Sequence, residues 1–188
     1  MGSEMCIRDR LNTLQTHTDF MYAHSVGVSV YSVMLARKIG WTASSTLAKV
    51  GLAGLLHDIG KKEISKETLA KPRAQLTPDE IKTIESHTTR GRDILREMKN
   101  VPTEVAEAAF QHHELAHGGG YPRAIPDAQI HPIAKIVTIA NRFCELSIRG
   151  PHREPMKVQD ALATLEGSSY DFNKAYWEAF RTMFKSKK

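Results

Sequence analysis

The chain has 188 residues, 41% of them apolar, and its 26 Lys and Arg outnumber 21 Asp and Glu. That length suits one buried core, and a net charge of only +5 modestly favours anionic small ligands without marking a DNA-binding surface. Two cysteines far apart, Cys6 and Cys144, exclude a disulfide framework and a thiolate zinc site and fit a reduced, cytoplasmic setting, and no apolar run is long enough to cross a membrane.

The opening MGSEMCIRDR lacks the apolar stretch of a signal peptide and is read as a leader or remnant, leaving one domain over residues 11–188. Amphipathic spacing then predicts about seven helices and no strand, so the expected class is all-α, a helical bundle. The first long helix, about Thr18 to Lys38, carries Met21, His24, Val28, Tyr31 and Leu35 on one stripe, which turns His24 inward. A second runs from near Thr42 to Asp58, with Gly51 and Gly54 allowing close packing and Gly60 available for a left-handed stop. After a basic connector over 61–75, Thr77-Pro78-Asp79-Glu80 forms a capping box opening a helix with Ile84, His87, Gly91, Ile94 and Met98 on its inner face. The next helix starts near Pro102 and brings His112 and His113 to its inner edge before three glycines stop it. His131-Pro132 opens a fifth with Ile133, Val137, Asn141, Cys144 and Ile148 inward, and shorter helices near 157–166 and 172–184 close the bundle.

One inward histidine is ordinarily a core residue with a hydrogen-bonded ring. Five are different: His24, His57, His87, His112 and His113 come from four predicted helices, and burying all of them without a shared partner leaves several polar atoms unmet. Asp58 stands at a helix C-terminus, where the macrodipole disfavours a carboxylate, so a cation is expected beside it. Lys61 or Lys62 could supply that charge; the adjacent His-Asp pair equally suits two neighbouring metal ions bridged by the carboxylate. Donors of nitrogen and oxygen type point to iron, manganese, zinc or a similar ion without choosing among them.

The segment HHELAHGGGYP, 112–122, also contains His113-Glu114-Leu115-Ala116-His117, the HExxH spacing of zinc proteases. That motif needs an unbroken helix and a third ligand, whereas Gly118, Gly119 and Gly120 follow at once and the position of the extended motif's last histidine is Arg123. The protease reading is set aside.

Taken together, His24 in YAHSVGV, LLHDIGK at 55–61, KPRAQLTPDE, His87 in ESHTTRGRDIL and HHELAHGGGYP resemble the HD-GYP family of the HD phosphohydrolase superfamily, from about residue 16 to 184. The resemblance implies an HD-type helical bundle holding two or three divalent ions, iron or manganese, that hydrolyses cyclic di-GMP to a linear dinucleotide or GMP. It implies that His24, His57 and Asp58 hold one metal, that His87, His112 and His113 hold the other, and that Asp58 bridges them and, with Lys61, serves catalysis. Lys61 would meet the substrate phosphate, with Arg149 and Arg153 as further substrate contacts. The loop Gly118, Gly120, Tyr121 and Pro122 would be either a turn or a surface for a protein partner.

Two positions depart from the family pattern. Its ADxxDA-type motif is here Ala140-Asn141-Arg142-Phe143-Cys144-Glu145, so the ligand aspartate is Asn141 and the second aspartate Cys144; Phe20 stands where some members carry a glutamate for a third metal. Two metals are therefore expected rather than three, with the His24 side the weaker. These losses keep an alternative open, a non-catalytic module that senses a cyclic dinucleotide or binds a partner.

Overall fold

The computed structural model describes residues 2–150 and 154–184, with side chains from Phe20 onward. Among these residues no strand forms, and nine α-helices follow in chain order: α1 (Gly2–Lys38), α2 (Ser44–Leu56), α3 (Lys66–Leu69), α4 (Pro78–Glu85), α5 (His87–Glu97), α6 (Thr103–Gln111), α7 (Pro132–Ser147), α8 (Val158–Glu166) and α9 (Lys174–Thr182). The all-α expectation holds. The helices outnumber the predicted seven because the connector folds a short α3 and because the single helix expected from Thr77 breaks at Ser86 into α4 and α5.

The expected capping box forms, with the Thr77 side chain accepting from the Glu80 backbone N–H and Glu80 accepting from the Thr77 N–H. The break at Ser86 rotates the stripe that follows: Leu95 is buried on α5, whereas Met98, expected inward, is exposed. At the other end of the chain, α1 begins at Gly2 rather than near Thr18, so the backbone of the expected leader continues the same helix.

The core lies where α1, α2, α6 and α7 pack together, around Val28, Leu35, Val50, Val105, Ile136 and Ile139. Tyr31 of α1, Phe143 of α7 and Phe180 of α9 meet edge to face, with Tyr31 4.9 Å from Phe143 and Phe143 5.2 Å from Phe180. Burial of a phenylalanine contributes about 1.5–3 kcal/mol, and such ring pairs add roughly 0.5–1.5 kcal/mol, which fixes α9 across α1 and α7.

Small residues set the helix spacing near the site. A Cβ on Gly54 would stand 2.7 Å from Ser29 Cα, so α2 can touch α1 only because this residue is glycine, and the Ser29 hydroxyl donates to the Gly51 carbonyl at 2.8 Å. Gly60 serves the same end rather than the left-handed stop expected of it. It does not have the positive φ of Gly40 and Gly118, but a Cβ there would come within 2.0 Å of the His87 carbonyl oxygen.

Candidate metal centre

His24, His57, His87 and His112 each arrive on a different support. His24 projects from α1 one turn after Phe20 and is buried. His57 caps α2, and Asp58 follows outside that helix, at the head of the 3₁₀ turn Ile59–Glu63, rather than in the helix's last turn as predicted. His87 opens α5, and His112 caps α6. Gln111, beside His112, accepts from the His131 N–H at 2.7 Å, and Thr138 of α7 donates to the His112 carbonyl at 2.9 Å. The start of α7 and the end of α6 thereby hold His112 in place.

Three rings share one device. Nδ1 of His57, His87 and His112 lies 2.8, 2.6 and 2.9 Å from the carbonyl oxygens of Gly54, Ile84 and Ala109, each three residues earlier. A carbonyl only accepts, so Nδ1 of each ring carries the proton and Nε2 is turned to the centre. There Asp58 meets them: its Oδ1 is 3.2 Å from His87 Nε2 and 3.7 Å from His112 Nε2, and its Oδ2 is 3.3 Å from His57 Nε2 and 4.0 Å from His24 Nε2. His87 Nε2 and His112 Nε2 are 3.2 Å apart.

Burial controls the charges. It depresses His24 to about 3, helped by His57, and takes His112 to about 3 against the pull of Asp58. His113 is held well below 6.5 by burial and by His112 and His87. For Asp58 burial acts upward, but His57 and Lys61 overcome it and hold the carboxyl well below its ordinary value. The centre at neutral pH thus holds an anionic carboxylate beside neutral His24, His112 and His113, with ring nitrogens turned to carboxylate oxygens.

Acceptors facing acceptors in a buried space need a cation between them. His24 Nδ1, His57 Nε2, Asp58 Oδ1 and Asn141 Oδ1 are all buried without a hydrogen-bond partner among the described residues. The donors fall into two groups that share Asp58: one of His24, His57 and Asp58, the other of Asp58, His87, His112 and His113, with the ligand atoms of each group within 4.8 Å of one another. This donor set fits divalent cations bound through nitrogen and oxygen.

Lys61 is drawn in as well. Its ammonium lies 2.6 Å from Asp58 Oδ2 and its side chain is 23% exposed, so of the cations considered from sequence the lysine sits on this carboxylate. Asn141 lies beside His24 and donates through Nδ2 to Glu145 Oε1 at 3.3 Å. Cys144 faces elsewhere: it is buried against α1, where a Cβ on Gly27 would meet its sulfur at 3.2 Å. Phe20 fills the space one turn before His24, its ring centroid 5.3 Å from the imidazole.

The glycine-rich loop closes the other side. Tyr121 stacks on His113 with centroids 4.6 Å apart and planes 17° from parallel. Gly120 permits that turn, because a Cβ there would stand 2.4 Å from the His113 carbonyl oxygen; Gly118 has φ +81° and the Tyr121–Pro122 peptide is cis. The HExxH spacing builds no helix. Glu114 is buried and accepts from the N–H groups of Arg123 and Ile125 at 2.7 and 3.0 Å, while His117 pairs with Asp171 at 3.3 Å. Arg149 is 74% exposed and paired with Glu154 at 2.8 Å, and Arg153 lies outside the described residues.

Two contacts of this neighbourhood, made by residues named from sequence, were not themselves expected. Glu145 sits four positions after Asn141, a spacing that places the two on one helix face. The stack of Tyr121 on His113 has no sequence signal, since it depends on how the loop folds back.

The HD domain family matches residues 9–173. A 3'3'-cGAMP-specific phosphodiesterase 3 of Vibrio cholerae is 36% identical over 145 residues, 76% of this chain and 30% of that protein. A cyclic di-GMP phosphodiesterase of Thermotoga maritima is 32% identical over 161 residues, 85% of this chain and 43% of that one. The chain spans less than half the length of these curated relatives. Among solved structures, an HDG"Y"P protein from Bdellovibrio bacteriovorus superposes with a TM-score of 0.72 at 23% identity, over 88% of this chain and 53% of that one, a likeness of fold.

Proposed function

The chain belongs to the HD domain family, with the features of its HD-GYP branch, and from that premise we propose that it hydrolyses a cyclic dinucleotide, cyclic di-GMP in the first instance, to a linear dinucleotide or GMP. The observation that supports this reading best is the convergence of buried, unpartnered ring nitrogens and carboxylate oxygen on one point, a donor set that serves a cation and little else. The names of the relatives from Vibrio cholerae and Thermotoga maritima agree with the substrate class.

Two divalent ions, iron or manganese, fit the two donor groups. His24, His57, Asp58 and Asn141 would hold one and His87, His112 and His113 the other, with Asp58 common to both. Such a pair activates water near neutral pH and neutralises charge that develops on the phosphoryl oxygens.

The chain's own groups do the rest. The three Nδ1–H bonds to backbone carbonyls keep the Nε2 lone pairs aimed inward before anything binds, so little reorganisation is needed. Burial keeps His24 and His112 neutral, the form in which a ring nitrogen donates to a metal. Lys61, partly exposed at the edge of the cluster, offers a positive charge to an incoming phosphate, for which it must leave Asp58. Arg149 would contact substrate only by leaving Glu154.

The test is incubation of the purified chain with cyclic di-GMP and either Fe(II) or Mn(II), with separation of products. Linear dinucleotide or GMP is expected, and His57→Ala should abolish it. Binding of the dinucleotide without product under every metal condition would overturn the proposal.

A further inference from the structure

The ligand position at Asn141 carries an amide, and an amide has one useful end. Its oxygen can accept or coordinate; its nitrogen only donates and faces any cation with the wrong charge. Which end turns toward His24 therefore decides whether Asn141 contributes to the centre or opposes it.

Glu145 makes that choice. Its Oε1 accepts from Asn141 Nδ2 at 3.3 Å, and its Oε2 lies 3.3 Å from Arg142 Nη1. Turning the amide over would set Asn141 Oδ1 against a carboxylate oxygen, acceptor against acceptor. With Nδ2 held by Glu145, the buried Asn141 Oδ1 is turned to the His24 ring and, like His24 Nδ1, His57 Nε2 and Asp58 Oδ1, has no hydrogen bond of ordinary geometry among the described residues. Glu145 itself is 35% exposed and needs no ion to satisfy it; Arg142 anchors its second oxygen on the solvent side.

We propose that Glu145 is a positioning residue that holds the Asn141 amide with its oxygen toward the His24 half of the centre and, through its charge, makes that oxygen a better donor. The inference rests on the metal-binding reading above. It assigns to an i, i+4 pair on α7 the work that a single aspartate would do alone, since a carboxylate presents an oxygen whichever way it turns.

The test is Mn(II) binding to metal-free protein, followed by calorimetry and by the Mn(II) electron paramagnetic resonance spectrum, for wild type, Glu145→Ala, Glu145→Gln, Asn141→Asp and the double variant Asn141→Asp/Glu145→Ala. Loss of a group that orients a metal ligand typically weakens binding about 10- to 100-fold. Glu145→Ala should therefore weaken one site by about that factor and leave the other unchanged, with the thermal midpoint of the metal-free protein as in wild type. Glu145→Gln, whose side-chain oxygen still accepts from Asn141, should lose less.

The double variant decides the matter. An aspartate at 141 has no orientation to be chosen, so removing Glu145 should then cost nothing and should relieve a like-charge contact. If Glu145→Ala binds Mn(II) as wild type does, or if the double variant falls as far as Glu145→Ala, the positioning role is wrong and the metal centre stands. A wild-type chain that takes up no Mn(II) overturns both.

Discussion

The two halves of the centre are built from the same materials to different standards. On the side of His87, His112 and His113, two rings are fixed by Nδ1–H bonds to backbone carbonyls at 2.6 and 2.9 Å, and the third is clamped under Tyr121. On the other side only His57 has such a bond; His24 Nδ1 is unpartnered among the described residues, and the fourth donor proposed is the Asn141 amide, bonded to Glu145. The difference separates two ways of presenting a ligand. One half is anchored directly to helix backbone, while the other depends on α1 packing and on a side chain held by another side chain.

That contrast orders the expected effects. Apart from removal of a ligand itself, the largest should follow from Gly60→Ala. A methyl there must displace the His87 carbonyl from a 2.0 Å contact and the Gly91 N–H from 2.5 Å, both of them backbone, so the 3₁₀ turn carrying Asp58 must part from α5. Overpacking of this kind costs about 1–3 kcal/mol, and chemical denaturation should show it. The well-anchored half should lose its ion, because His87 and Asp58 no longer share a point. If the variant is as stable as wild type and binds metal normally, the close approach of Gly60 to His87 does not govern the centre.

Asn141→Asp acts on the opposite half and in the opposite direction. Restoring a formal negative charge should strengthen the weaker site by about 10-fold or more while leaving the stronger one as it is. Calorimetric titration with Mn(II) would resolve the two. Equal strengthening of both sites would mean that the halves are not separable, and weakening would mean that the amide is the better ligand in its present surroundings.

Tyr121 gives the smallest and sharpest comparison. Tyr121→Phe keeps the ring that stacks on His113, and Tyr121→Ala removes it. A ring pair is worth roughly 0.5–1.5 kcal/mol, so the alanine variant should weaken the anchored half by up to about 10-fold and the phenylalanine variant hardly at all. An equal loss in both would assign the effect to the hydroxyl rather than to stacking.

How far the sequence could reveal this contrast depended on the physical range of each signal. His24 and Asn141 were legible because helical periodicity puts them on the buried stripes of α1 and α7, where His24 and Asn141 lie in the structure. His57, His112 and His113 stood beside recognisable stops. The break at Ser86 was not legible: an unbroken apolar stripe through Ile84 and His87 cannot signal that the axis changes, and Met98 was misplaced in consequence. The role of Gly60 was not legible either, since a glycine required by a neighbour 27 residues away leaves no local trace. The stack of Tyr121 on His113 and the exposure of Arg149 likewise depend on how loops return to the bundle. Glu145 alone was within reach of local rules, through its i, i+4 relation to Asn141.

Asp58 is the point on which both halves depend, and its removal tests the whole arrangement. Mn(II) titrated into metal-free wild-type chain should reach two ions per chain, with one site clearly tighter, whereas Asp58→Ala of unchanged helical content should bind neither ion with comparable affinity. A wild-type chain that takes up no Mn(II), or an Asp58→Ala chain that keeps both sites at wild-type strength, would contradict the shared carboxylate at the centre of this account.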